Sequence, residues 1–463
     1  MNRGTVGSRA KRGNILFVVL VLGGLAAFLI GGLVQVGVSE YRAGQTKTAK
    51  EIAFNLAEAG VEYYKWHLAH DPNDFQDGTG QPGPYVRTYT DKNGIVIGSF
   101  SLEITPPPVG SSIAQIRSTG WSVAAPLVRK SVVARVGRPS LAEYAFATNA
   151  NAFVPAGPFH GKLHANGGIR FDGTADAAIT SAKDTYVCEP VDGCDPSEVK
   201  PGIWSIAGVP TTFWQFPAAS VDFGAIAADL ASLKSLAQAD GLYLAPSGVN
   251  GYLLQFNPDG TISIFTVTVL QPPVVGTDVN GIVHNDSNDI QSTAFVETRA
   301  LPASGIVFVE DHVWVEGTVS GLVTIGSGRF PDNPATRSNI VINRDITYAQ
   351  KDGSAALGLV AQQDILIPYL SPVDLEIDAA MVAINGSVQR YLYDGDIKNR
   401  LSIYGSVISY GKWMWTWTSG GGGPVVSGYS SSDTAYDAHL ASVPPPGFPL
   451  KSSSYQLISW QEE

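Results

Sequence analysis

A mainly β protein, with one long N-terminal helix set on a small antiparallel sheet, is the fold that three observations predict. The first is composition: Gly 50 and Pro 29 in 463 residues, with no Gly-X-Y period, suit many short strands joined by tight turns. The second is an uncharged run of 25 residues over 14–38, long enough as a helix to cross a tilted bilayer. The third is a recurrence of three-residue β segments through the C-terminal third, which points to a β-solenoid, with a β-sandwich as the alternative.

The apolar run sets the topology. Arg3, Arg9, Lys11 and Arg12 precede it and Glu40 follows, so the positive-inside bias keeps a leader over 1–13 in the cytoplasm and puts the rest outside the membrane. Ala49, Ile52, Ala53, Leu56, Ala59, Gly60, Tyr63 and His67 then recur at three- and four-residue intervals, with no proline before Pro72. One helix is therefore expected over 14–70. Over 71–139, alternating runs and an Asp91-Lys92-Asn93-Gly94 turn predict four antiparallel strands. Pro106 to Pro108 and Pro139 mark an edge and an exit.

The segment Lys11-Arg12-Gly13, the apolar run behind it, and Asn55-Leu56-Ala57-Glu58-Ala59-Gly60-Val61-Glu62 resemble the PilX-type N-terminal segment of type IV pilus minor pilins over about residues 11–67. The resemblance implies cleavage between Gly13 and Asn14, and assembly with pilin subunits through the apolar helix. Two positions depart from the family pattern: Val18 stands where ordinary pilins carry glutamate, and Asn14 where they carry phenylalanine or methionine. A plain signal anchor is the alternative.

The region 140–300 reads as irregular β structure interrupted by one amphipathic helix at 222–239, ended by Gly241. Tyr252 to Phe256, Asn257-Pro258-Asp259-Gly260 and Thr261 to Val269 predict a hairpin. Cys188 and Cys194 close a short turn-rich loop, and outside the cytoplasm they are expected to form a disulfide. His160 and His164 stand four apart among glycines with no third ligand in sight, so no metal and no cofactor is expected.

Over 301–412, five units start at Val307, Ile340, Leu359, Leu375 and Leu401, each with two short apolar segments offset by six residues. The region broadly resembles bactofilin-like polymerising β-helices. This template aligns His312, Asp345 and Asp364 at one corner. Clustered carboxylates there would be the basis of a β-helix polysaccharide-degrading enzyme, although Ala380 and Ser406 interrupt the row. Over 413–463, Trp413, Trp415 and Trp417 alternate beside Gly420 to Gly423, forming a candidate face for glycans or another protein, and a proline-rich tail follows.

A net charge of −11 disfavours nucleic acid as a partner. No nucleophile elbow, phosphate loop or zinc motif appears. The sequence thus predicts a non-enzymatic, single-pass cell-surface protein of a type IV pilus-like assembly, structural or adhesive. The alternatives are the β-helix enzyme and a plain anchored glycan-binding protein.

Overall fold

The computed structural model describes residues 14–107, 112–420, 423–451 and 454–463. The expected leader and Gly13 lie outside them, as do Pro108 and part of the 420–423 glycine run. The chain divides into two compact units. One comprises α1, most of the first sheet and the last five residues; the other comprises 106–114 and 136–458.

In the first unit, α1 (Asn14–His70) is a single helix of 57 residues, about 85 Å long. It changes character along its length. Ile15 to Val38 is exposed throughout, whereas Ala53, Leu56, Ala57, Val61, Tyr64 and Leu68 are buried. Those buried positions recur every three or four residues, so one stripe of the helix faces the sheet. The strands β1 (Tyr85–Thr90), β2 (Val96–Thr105), β3 (Ile113–Ser122) and β4 (Lys130–Gly137) run in order, and the C-terminal strand Gln456–Glu462 adds beside β4 as a fifth. Lys130 Nζ is 2.6 Å from Glu462 Oε1, an ion pair that ties that strand to its neighbour.

Three glycines let helix and sheet approach closely. A Cβ on Gly120 would lie 2.2 Å from the Ala53 carbonyl oxygen, one on Gly60 2.2 Å from Ser118 Oγ, and one on Gly98 2.5 Å from Leu56 Cδ1. At Gly120 the contact is backbone against backbone, with Ala57 N also within 2.5 Å, and overpacking it there has no cheap relaxation.

The second unit is built on three parallel ladders. The first stacks residues 242–244, 307–309, 325–327, 359–361, 381–383, 407–409, 146–148, 163–165 and 179–181. The second stacks 252–256, 313–317, 340–342, 365–366 and 388–389. The third carries 317–319 onto 346–348, then Ile346 onto Ile377, Ile403 and Thr434.

This register corrects the five-unit template. Its first and second segments do not keep to the same ladders: Val307 belongs to the first ladder, Ile340 to the second, and Leu375 to the third. The rung 322–327 falls outside the template because Thr324, Gly326 and Ser327 break the apolar pattern. The region read as irregular also supplies rungs at 144–148, 162–165, 179–181 and 242–244.

The rung order is not the chain order. The chain enters mid-stack at 146–148, steps through 163–165 and 179–181 to 214–215, and returns by α2 (Phe223–Asp240) to the far end at 242–244, from which it winds back. An 18-residue helix is about 27 Å long. Its first residue, Phe223, lies against Tyr410, with ring centroids 5.8 Å apart, just past the rung 407–409. The five rung spacings from there to 242–244 amount to roughly 24 Å, which the helix covers. Asp222 Oδ1 accepts from Gly224 N at 2.9 Å to cap its start, and Ile226, Leu230, Leu233 and Ala237 form its buried stripe. Gly326 and Gly328 make room for Leu233 and Leu230, so Phe308 on the outer side of the first ladder is buried as fully as its inward neighbours. Further along, Pro445 and Phe448 of the tail cover Gly358 in the same way.

Replacing Gly120 by valine should destabilise the first unit by about 1–3 kcal/mol in denaturant unfolding of the full chain. Gly44→Ala, at a helix position with nothing within 4 Å, should cause no loss.

Candidate functional site

Three sequence-predicted positions resolve differently in the structure. Cys188 and Cys194 are bonded, with their Cα atoms 5.6 Å apart, and both are buried. Their loop presents Asp192, also buried, whose carboxylate accepts from Asn151 Nδ2 at 2.7 Å and pairs with Lys412. The disulfide thus holds a loop whose acid is tied to two other segments of the second unit.

The three tryptophans do not form one accessible row. Trp415 is 7% exposed and lies in the main core. Trp413 is half-buried, with its ring 5.0 Å from that of Phe146, and Trp417 Nε1 donates to the Arg390 carbonyl at 3.0 Å. The alternation reads as a strand, but the regular strand covers 416–418 alone, so the period that would align the rings is broken at Trp415. Their indoles fill the space beside Phe146 and Arg390.

The histidines and acids separate as well. His160 Nδ1 is 2.7 Å from Asp176 Oδ2, while buried His164 bonds Thr180 and Asn166. Among the described residues, no group of three or more His, Cys, Asp or Glu is arranged to hold a metal ion.

Asp345 is not at the corner of His312 and Asp364. It is exposed in the strand that feeds the third ladder, and its Oδ1 accepts from Glu376 N at 3.0 Å. Register puts Asn339 in the place given to it. The corner before the second ladder is His312, Asn339, Asp364, Ser387, and it is linked along the stack. Asn339 N donates to His312 Nδ1 at 3.0 Å, Asp364 N to Asn339 Oδ1 at 3.1 Å, and Ser387 N to Asp364 Oδ1 at 2.7 Å. Each side chain accepts the backbone N–H of the next rung, satisfying a donor that the bend has taken out of the ladder. Aligning on the apolar triplets at 313, 340 and 365 exposes the first three members of this series, whereas Val388-Gln389-Arg390 carries no such signal.

At its lower end this corner opens into a polar cleft of about 460 Å³. Its floor is a run of bends from successive rungs: Gln363 and Asp364, Asn385 to Ser387, Tyr410 and Gly411, then Asn149 and Ala150. Its wall is the loop from Asp278 to His284, fixed by Val279 N donating to Gln389 Oε1 at 3.0 Å and by paired backbone hydrogen bonds between Thr277 and Leu392. Asp278 is buried; its Oδ1 caps the loop through Asn280 N and Ile282 N, and its Oδ2 is 3.1 Å from His284 Nε2. The His284 ring stacks on Tyr391 at 4.6 Å. Burial pushes the Asp364 carboxyl above the usual carboxylate range, and Asp278 adds to that while His284 opposes it. The sequence held no local signal for this cleft, because floor and wall come from three separate stretches, 149–150, 278–284 and 363–411.

No family model matches the chain, and no curated protein matches it. Among solved structures, the competence-associated pilin ComZ from Thermus thermophilus is similar over 90% of this chain and 98% of its own, at 15% identity and a TM-score of 0.28. At that score the likeness carries no weight for this chain's fold or role. The fold itself defines a class: an apolar helix with its second half on an antiparallel sheet, and a large β-rich unit inserted before the sheet's last strand.

His312 provides a test of the corner. Burial, followed by the Arg329 charge, lowers its pKa from 6.5 to about 4, with Asp311 opposing. The folded state therefore holds the neutral ring while the unfolded chain takes up a proton below about 6.5. Stability should be unaffected above that pH and should fall between pH 6.5 and 4. In His312→Gln the slope across this window should be smaller. An NMR titration should give a His312 midpoint near 4 with Nδ1 unprotonated.

Proposed function

We propose that this chain is a non-enzymatic, membrane-anchored subunit of a type IV pilus-like assembly, with its β-rich mass outside the cytoplasm. The observation that carries the reading is the division of α1. Its first half exposes an unbroken apolar surface, and one helix there is long and apolar enough to cross a membrane. Its second half is fastened to a five-stranded sheet through glycine contacts. A helix so divided can be held in a bilayer or among the helices of neighbouring subunits while its sheet stays in water. This is the division of labour that the PilX-like segment implies.

The second unit is inferred to be a β-solenoid, supported by three in-register parallel ladders that the chain visits in turn. Its role is read as structural. Asp345 and Asp364 stand at different corners, so the carboxylate row expected of a β-helix hydrolase does not assemble from them. The disulfide and the acidic charge suit an extracytoplasmic setting.

Mass spectrometry of the protein isolated from membranes should find a mature chain starting at Asn14, and protease added to intact cells should cleave the second unit. A chain retaining Met1 or Asn2 would remove the pilin-type processing and leave a plain anchor. Protection of the second unit from external protease would overturn the topology.

A further inference from the structure

We propose that the polar cleft between the stacked bends at 149–150, 363–364, 385–387 and 410–411 and the loop 278–284 is a binding site for a neutral saccharide. The inference stands independently of the pilus-like reading, since it uses the second unit alone.

Shape is the first argument. The cleft, at about 460 Å³, falls within the ~300–1,000 Å³ range of small-molecule sites. Its floor follows four successive rungs, so its polar groups repeat at roughly 4.8 Å along about 14 Å of stack. A linear ligand with hydroxyl groups at regular intervals meets such a floor more fully than a compact one does.

Chemistry is the second argument. The lining supplies the amides of Asn149, Asn280, Gln363 and Asn385, the Tyr410 hydroxyl and the carboxylate of Asp364. These groups give donors and acceptors together, which is what a hydroxyl needs, since it both donates and accepts. No lysine or arginine lines the cleft, while Asp364 does and Asp278 is paired with His284. A phosphate, sulfate or uronate would thus meet the Asp364 carboxyl with no lysine or arginine to receive it.

Availability is the third. The Oδ1 atom of Asp364 is engaged by Ser387 N and Gln389 Nε2, but among the described residues Oδ2 takes no hydrogen bond. The same holds for the Tyr410 hydroxyl, which is in an exposed residue at the rim. Asp278, in contrast, is consumed in holding the loop and His284, so it shapes the wall. The site is accordingly built on rigid backbone: the floor is hydrogen-bonded from bend to bend, with Gly411 N donating to the Gly386 carbonyl and Thr148 Oγ1 to the Gly411 carbonyl, each at 2.8 Å.

Isothermal titration of the full chain in a non-glycosidic detergent tests this with linear tetrasaccharides of glucose, galactose, mannose and N-acetylglucosamine, and with tetragalacturonate as the anionic comparison. At least one neutral tetrasaccharide should bind saturably, and tetragalacturonate at least tenfold more weakly. Asn280→Trp, which crowds the mouth from an exposed loop position, should weaken that binding at least tenfold. Asp364→Asn, which keeps an acceptor for Ser387 N, should do the same, with the melting temperature of both variants unchanged. Absence of binding by all four neutral probes would overturn the proposal. So would equal binding of the uronate, or full affinity in Asn280→Trp.

Discussion

Leu16, Phe17, Leu20, Phe28, Leu29 and Leu33 each leave more than half of their surface uncovered by the chain itself, and this unpaid apolar surface is the constraint on which the first unit depends. Burying such a side chain is worth about 1.5–3 kcal/mol, so a helix bearing a row of them cannot rest in water. The surrounding medium has to supply the cover. Everything after residue 48 is arranged so that this requirement does not spread: the burial stripe begins at Ala49, the glycines at 60, 98 and 120 let helix and sheet approach closely, and the last strand of the chain closes the sheet beside β4.

The second unit answers a different constraint, the need of a parallel stack to have its rungs covered on the outside as well as the inside. The inner side is filled by Val, Ile and Leu from all three ladders. The outer side of the first ladder is covered by α2 and then by Pro445 and Phe448, with glycines at 326, 328 and 358 beneath them. The return helix covers the part of the way back that runs from beside Tyr410 to the rung of 242–244. The same stacking forms the cleft, since bends aligned by register bring side chains remote in sequence to one wall.

Local chemistry made much of this readable from the residues. The apolar run, the helical period to His67, the Asp91–Gly94 turn, the hairpin around Asn257–Gly260 and the short Cys188–Cys194 loop are all encoded within a few tens of positions. What could not be read is rung order. The segment 144–148 pairs with 407–409, and nothing in either segment names the other. The misplacement of Asp345 has the same origin: a six-residue offset recurs in the sequence, but the bends that set the register lie at Asn339 and Asp364, where the side chain matters for accepting a backbone N–H and not for its apolarity. The tryptophans were misread because alternation is a property of strands, and only the last of them lies within one.

The claim that the first half of α1 is never exposed to water in the cell is the one on which the functional reading turns. A photo-cross-linking residue placed at Leu22 and activated in intact cells addresses it directly. The account predicts adducts to lipid or to the apolar helices of neighbouring subunits. Adducts confined to water-soluble proteins, or quenching by water with no adduct, would contradict it.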